Sequence, residues 1–163
     1  MHHVEERSVR CFVATVSDTR TIETDKSGRL IIDLLEKANH TCIEHTIVKD
    51  EMDEIKAMLT RAVENDKVDV ILLTGGTGIA KRDVTIEVVE EMFEKTIPGF
   101  GELFRMLSYT EDIGSRALLS RATAGVVDEK VVVAMPGSSG AVKLAMNKLI
   151  IPELSHFVHE LRK

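Results

Sequence analysis

The apolar residues of this chain change spacing again and again along its length, and that alternation limits the folds open to it. VRCFVATV (Val9–Val16), CIEHTIV (Cys42–Val48), VDVILL (Val68–Leu73), ATAGVV and VVVAM read as short strands. VDVILL is almost uniformly apolar, as parallel strands covered on both faces are, whereas CIEHTIV is half-polar and belongs nearer a sheet edge. Between these runs the spacing becomes helical: Leu30, Ile31, Leu34, Leu35 and Ala38; then Met52, Ile55, Met58, Leu59, Ala62 and Val63; then Val88, Val89, Met92 and Phe93. IPGFGELFRMLS breaks at Pro98 and restarts as a short amphipathic segment, and Asp128-Glu129-Lys130 reads as a turn. A closing helix carries Val142, Ala145, Met146, Leu149 and Ile150, is interrupted or restarted at Pro152, and continues through Leu154, Phe157, Val158 and Leu161. Strand, helix, strand in succession builds right-handed βαβ units, so the expected fold is α/β, a parallel sheet with helices on both faces. At 163 residues the chain is expected to be a single domain, 1–163, large enough to bury a continuous core.

In such a sheet all parallel strands end at one edge, and ligands sit just beyond their carboxyl ends. Four loops follow strands directly: SDTRT, KDEMD, TGGTGIAKRD and PGSSG. Each is polar or glycine-rich, and the fold brings them to one rim. In the third, Thr74-Gly75-Gly76-Thr77-Gly78 lets the backbone approach an anion closely while threonine hydroxyls add donors. The turn lies ahead of a helix start, where free N–H groups favour phosphate, and Lys81 and Arg82 can add positive charge. PGSSG (Pro136–Gly140) repeats the arrangement in miniature. The P-loop signature is absent, because Ile79 and Ala80 stand where its lysine and hydroxyl belong, and the spacing of a Rossmann fingerprint is absent too.

Plainer roles stand beside these. A glycine turn also serves simple loop closure. Asp50 and Asp83 each precede a helical run and suit an N-cap as well as a site carboxylate. Arg20 and Arg82 also fit ordinary surface charges. His156 and His159 lack a third ligand and read as solvated surface, and His2 and His3 as a frayed terminus. Phe93, Phe100, Phe104 and Tyr109 hold most of the aromatics and fit core or subunit contacts, or a flat-ring ligand. Cys11 and Cys42 read as buried thiols of a reducing compartment, with a disulfide between them left open. A net charge of −6 argues against a general nucleic-acid binder without excluding a local basic pocket. No apolar run approaches the about 20 residues of a membrane helix. MHHVEERSVR lacks the apolar core of a signal peptide. The expectation is a cytoplasmic protein with neither nucleic-acid nor membrane partners.

The motifs TVSDTRT…D.SG, LLTGGTG…RDVT.E, PGFGELFR.LS, SRA.AG and MPGS..AV.LAM.KLI.PEL together span nearly the whole chain. With them the sequence resembles the molybdenum cofactor biosynthesis family, which comprises molybdenum cofactor biosynthesis protein B and the molybdopterin adenylyltransferases. SRATAG and the last helix are closer to the protein B branch. The resemblance implies a three-layer α/β/α sandwich with a mostly parallel central sheet, assembled as a homotrimer or hexamer and working beside other enzymes of the pathway. It implies Mg2+-dependent transfer of AMP from ATP to the terminal phosphate of molybdopterin, with release of pyrophosphate. On that basis Thr74, Gly75, Gly76, Thr77 and Gly78 are matched to the phosphate cradle, with Arg82 beside it. Asp50 and Asp83 are matched to the two acidic positions, expected to hold Mg2+. Ser17, Arg20, Pro136, Gly137, Ser138 and Ser139 are matched to substrate-lining loops. Family members often carry Pro-Lys where this chain has Ser139-Gly140, which removes a positive charge from the pterin-phosphate side. The alternative the sequence allows is a non-catalytic carrier or assembly protein that binds molybdopterin or a nucleotide.

Overall fold

The computed structural model describes residues 7–163; His2 and His3 lie outside them. Four strands, β1 (Arg10–Val16), β2 (Thr41–Val48), β3 (Val70–Thr74) and β6 (Lys130–Met135), run parallel. Two more, β4 (Lys95–Thr96) and β5 (Thr123–Val127), run antiparallel to their neighbours, giving the order β2-β1-β3-β6-β5-β4. The sheet is therefore mixed but mostly parallel, and β2 lies at the edge, as its half-polar sequence predicts. The helices are α1 (Lys26–Lys37), α2 (Met52–Glu64), α3 (Thr85–Met92), α4 (Pro98–Glu111), α5 (Ser139–Ala145) and α6 (Ile151–Leu161).

Alternation along the strands decides which helix packs where. Cys11, Val13, Leu72, Val133 and Met135 point to one face, under α1, α4, α5 and α6. Phe12, Ala14, Ile71, Leu73 and Ala134 point to the other, under α2 and α3. The result is the three-layer sandwich. A slip of one residue in β3 would exchange Leu72 for Leu73 across the layers, so register is tightly held. Each of these leucines is fully buried and contributes about 1.5–3 kcal/mol relative to exposure.

Several boundaries differ from those the spacing suggests. α1 begins at Lys26, because buried Asp25 caps it by accepting the Gly28 N–H. As read, a helix starts afresh at Pro98, but it is longer than the short segment expected: proline occupies the first turn of the 14-residue α4, where its missing N–H costs nothing. Pro152 does not stop the closing helix; a π-helical turn at Met146–Ile150 carries it from α5 into α6. Two elements lacked a periodic signal, the two-residue β4 and a 3-10 helix at Gly114–Leu119. Cys11 and Cys42 are free thiols on adjacent positions of β1 and β2. His156 lies on the surface between Glu153 (3.1 Å) and Glu160 (3.4 Å). Phe100 and Phe104 stack at 6.0 Å beneath the sheet, while Tyr109 is exposed.

Candidate functional site

Register places the loops. Thr15 pairs with Thr74, Thr74 with Met135, and Val16 with Val48, so Ser17, Gly75, Pro136 and Lys49 leave the sheet at one level. Here the glycine turn begins. Gly75 and Gly76 have φ of 103° and 70°, a left-handed pair that side chains resist. Space forbids them as well: a Cβ on Gly75 would meet the Val16 carbonyl, and one on Gly76 the Thr85 hydroxyl.

The carbonyls of the turn are all engaged from within the protein. The Thr85 hydroxyl donates to Gly75 O (2.9 Å) and the Thr85 N–H to Gly76 O (3.1 Å). The Arg121 N–H donates to Thr77 O (2.9 Å) and Arg121 Nε to Gly78 O (2.9 Å). On the strand side, the Gly75 N–H donates to Met135 O (2.9 Å) and the Thr74 hydroxyl to Pro136 O (2.8 Å). By contrast, the N–H groups of Gly76, Thr77 and Gly78 make no hydrogen bond with any described residue. These three residues line a cleft of about 280 Å³, together with Asp83, Ser138 and Ala141. Successive free amides on residues that line one hollow are the kind of donor set an anion nest uses. The first N–H of α3 is spent on Gly76 O, so the donors left for a ligand are the turn's own rather than that one.

Asp83 and Asp50 flank the turn. Asp83 Oδ2 accepts the Ala80 N–H (2.9 Å) and lies 2.8 Å from where a Gly78 Cβ would stand. Asp50 Oδ1 lies 3.2 Å from the corresponding position on Gly76. Neither is an N-cap: Glu51 caps α2 and Val84 caps α3, both without a side-chain bond. Asp83 instead closes the Ala80–Asp83 turn, and the Asp50 carboxylate is directed at the glycines. Burial, and then the negative charges of Asp18 and Asp83, hold the Asp50 carboxyl above the usual carboxylate range. Arg82 is taken up elsewhere: it makes a fork to Asp18 (2.9 and 2.8 Å) and an ion pair with Glu51 (3.0 Å). Asp50 and Asp83 are the two carboxylates beside the turn that could contact a cation. No group of three or more His, Cys, Asp or Glu among the described residues is placed to hold one.

Of the remaining predicted residues, Ser17, Arg20, Thr74 and Gly137 line a second hollow, Pro136 and Ser138 line the first, and Ser139 lines neither. The Ser17 hydroxyl accepts the N–H groups of Thr19 (3.2 Å) and Arg20 (3.1 Å), and the exposed Arg20 donates to Thr24 O (3.3 Å). With Asp25, Ser27 and Gly75 they line a cleft of about 280 Å³. Gly137 borders both clefts, and a Cβ on it would come within 3.4 Å of Gly75 Cα. Ser27 fixes it by donating to its carbonyl (2.6 Å). Ser138 caps α5 by accepting the Ala141 N–H (3.3 Å), while Ser139 opens that helix and is exposed. Three participants escaped sequence reasoning. Asp18 anchors Arg82 and accepts the Asp50 N–H (3.1 Å). Buried Asp25 accepts from Thr15 and, at 2.8 Å, contacts His45 Nε2; the D-x-x-G spacing ahead of α1 could have signalled its cap. Arg121 lies 43 residues from Gly78 and belongs to the quoted SRATAG motif, which did not say that its guanidinium meets the glycine turn.

Comparison with known proteins follows the same lines. A family described as Probable molybdopterin binding domain matches residues 12–156. Molybdenum cofactor biosynthesis protein B of Bacillus subtilis (strain 168) is 62% identical over 155 residues, covering 95% of this chain and 91% of the relative. The protein of the same name from Staphylococcus carnosus (strain TM300) is 59% identical over 160 residues, covering 97% and 94%. Among solved structures, a molybdenum cofactor biosynthesis protein B superposes with a TM-score of 0.93 at 57% identity, covering 96% of this chain and 97% of the other. The tungsten cofactor synthesizing protein MoaB from Pyrococcus furiosus follows at 0.86 and 37% identity, covering 98% and 100%.

Proposed function

This chain belongs to the molybdenum cofactor biosynthesis family, and from that membership we propose that it adenylylates molybdopterin, with Mg2+ and ATP, through the pterin's terminal phosphate. The observation that carries the reading is the row of unengaged N–H groups from Gly76 to Gly78 beside Asp50 and Asp83. An oxygen of the molybdopterin phosphate forms a bond to the α-phosphorus of ATP. The bond from that phosphorus to the bridging oxygen breaks, and pyrophosphate leaves with the electron pair. A phosphate monoester with a second pKa of about 6 is already an anion at neutral pH, so no general base is required. The barrier is then alignment and repulsion between anions. The amides of Gly76, Thr77 and Gly78 hold phosphate oxygens and meet charge that grows during transfer. Two clefts that adjoin at Gly137 give room for two ligands. Asp83 and Asp50 would hold Mg2+, which when bound neutralises phosphate charge and orients the leaving pyrophosphate. Asp83→Asn is expected to fold normally and lose turnover by at least about a hundredfold; undiminished pyrophosphate release with ATP, Mg2+ and molybdopterin would refute the assignment.

Two observations favour the second reading, a non-catalytic carrier: Arg82 is bound to Asp18 and Glu51, and Ser139-Gly140 supplies no lysine. Calorimetry separates the two, since a carrier binds without releasing pyrophosphate. The reading also includes self-association into a trimer or hexamer. Its support is the exposed apolar group Leu103, Met106, Tyr109 and Leu118, on α4 and the 3-10 helix. Among the described residues no helix is long and apolar enough to cross a membrane.

A further inference from the structure

We propose that Arg121 is a positioning residue, whose guanidinium fixes the inner side of the glycine turn and thereby presents the amides of Gly76 to Gly78, and the Asp83 carboxylate, to one phosphate. The proposal rests on the phosphate-cradle reading above and adds the residue that shapes the cradle. Arg121 precedes β5 and reaches the turn from across the sheet edge. Its N–H donates to Thr77 O (2.9 Å), Nε to Gly78 O (2.9 Å) and Nη2 to Asp83 O (3.0 Å). Nη1 pairs with Glu87 of α3, and Nη2 also reaches Glu87 Oε1 (3.2 Å). One residue therefore joins both ends of the segment from Thr77 to Asp83 and ties it to the following helix.

The chemistry explains why arginine serves here. Its planar fork meets acceptors in several fixed directions at once, whereas a lysine ammonium is a single point on a flexible stem. When a carbonyl is held inward, the two amides flanking it are limited to a narrow range of directions. Without these bonds Thr77 O and Gly78 O would turn toward water, and the free N–H groups would lose their common direction. Asp83 O, held by the same guanidinium, fixes how far the acidic side chain stands from the amides. The charge of Arg121 is already matched by Glu87, which is held below its ordinary pKa chiefly by the hydrogen bond from Arg121. The residue thus acts through geometry, without touching the ligand.

The test measures MgATP binding by calorimetry, alongside thermal melts, for the wild type, Arg121→Lys and Arg121→Ala. The lysine variant is expected to keep its melting temperature within a few degrees yet bind about tenfold more weakly or worse, the loss of a charge-assisted bond. The alanine variant is expected to regain affinity in millimolar guanidinium chloride but not in equal potassium chloride, which a purely structural role would not produce. If Arg121→Ala fails to fold, Arg121→Lys alone decides. Wild-type binding with unweakened binding by Arg121→Lys overturns the positioning role and leaves the cradle intact. No MgATP binding by the wild type overturns the cradle itself.

Discussion

Gly76 shows what a single residue contributes to this site. Its φ of 70° and the Thr85 hydroxyl beside it leave no room for a methyl group. Gly76→Ala is expected to cost about 1–3 kcal/mol and to weaken MgATP binding further than that loss alone explains; denaturant titration and calorimetry read the two effects separately. Asp50 gives a prediction of opposite sign. Its carboxyl is raised by burial, then by Asp18 and Asp83, so the folded state prefers it protonated. That favourable contribution is complete below the ordinary carboxylate pKa of about 4 and disappears as pH rises through the higher folded value. At pH 7 the ionised Asp50 therefore opposes folding, and Asp50→Asn should melt higher there, with no gain near pH 3, while turnover is lost. The residues of this candidate site were legible by type, because a glycine turn and nearby acids stand out in the sequence and the fold brings them together. Arg121 and Asp18 were not, since their roles depend on neighbours distant in sequence.

At the scale of elements, the site is a consequence of register. Thr15, Thr74 and Met135 stand level across β1, β3 and β6, so three loops emerge together, and α3 then packs behind the turn through Thr85. Replacing Thr85 with valine keeps the shape and removes the donor to buried Gly75 O. The expected cost is about 1–3 kcal/mol, visible as a lower denaturant midpoint with an unchanged slope. The strands and most helices were evident from apolar spacing because burial on two faces writes a strong pattern. Boundaries set by single contacts were not. α1 starts where Asp25 accepts from Gly28, and β4 is two residues held by β5. The hairpin between β5 and β6 turns on Asp128 and Glu129 at φ of 47° and 61°. That sharp two-residue turn is why Lys130 belongs to β6 instead of the loop.

For the whole molecule, the exposed apolar group on α4 and the 3-10 helix is the place to test the proposed self-association. Leu118 is 76% exposed and Met106 61%. Met106→Glu with Leu118→Glu is expected to shift the protein to monomer in sedimentation without lowering the monomer's helix content; an unchanged assembly would place the interface elsewhere. The central claim concerns the cleft beside the C-terminal half of α4, where Phe104 and Ser108 face the glycine turn and its free peptide amides. A crystal structure with a non-hydrolysable ATP analogue and Mg2+ tests it most directly. Phosphate oxygens should lie within hydrogen-bonding distance of the N–H groups of Gly76, Thr77 and Gly78, with the metal on Asp83. Phosphates bound at the opposite end of the strands, or amides of the turn left empty beside an ordered nucleotide, would contradict it.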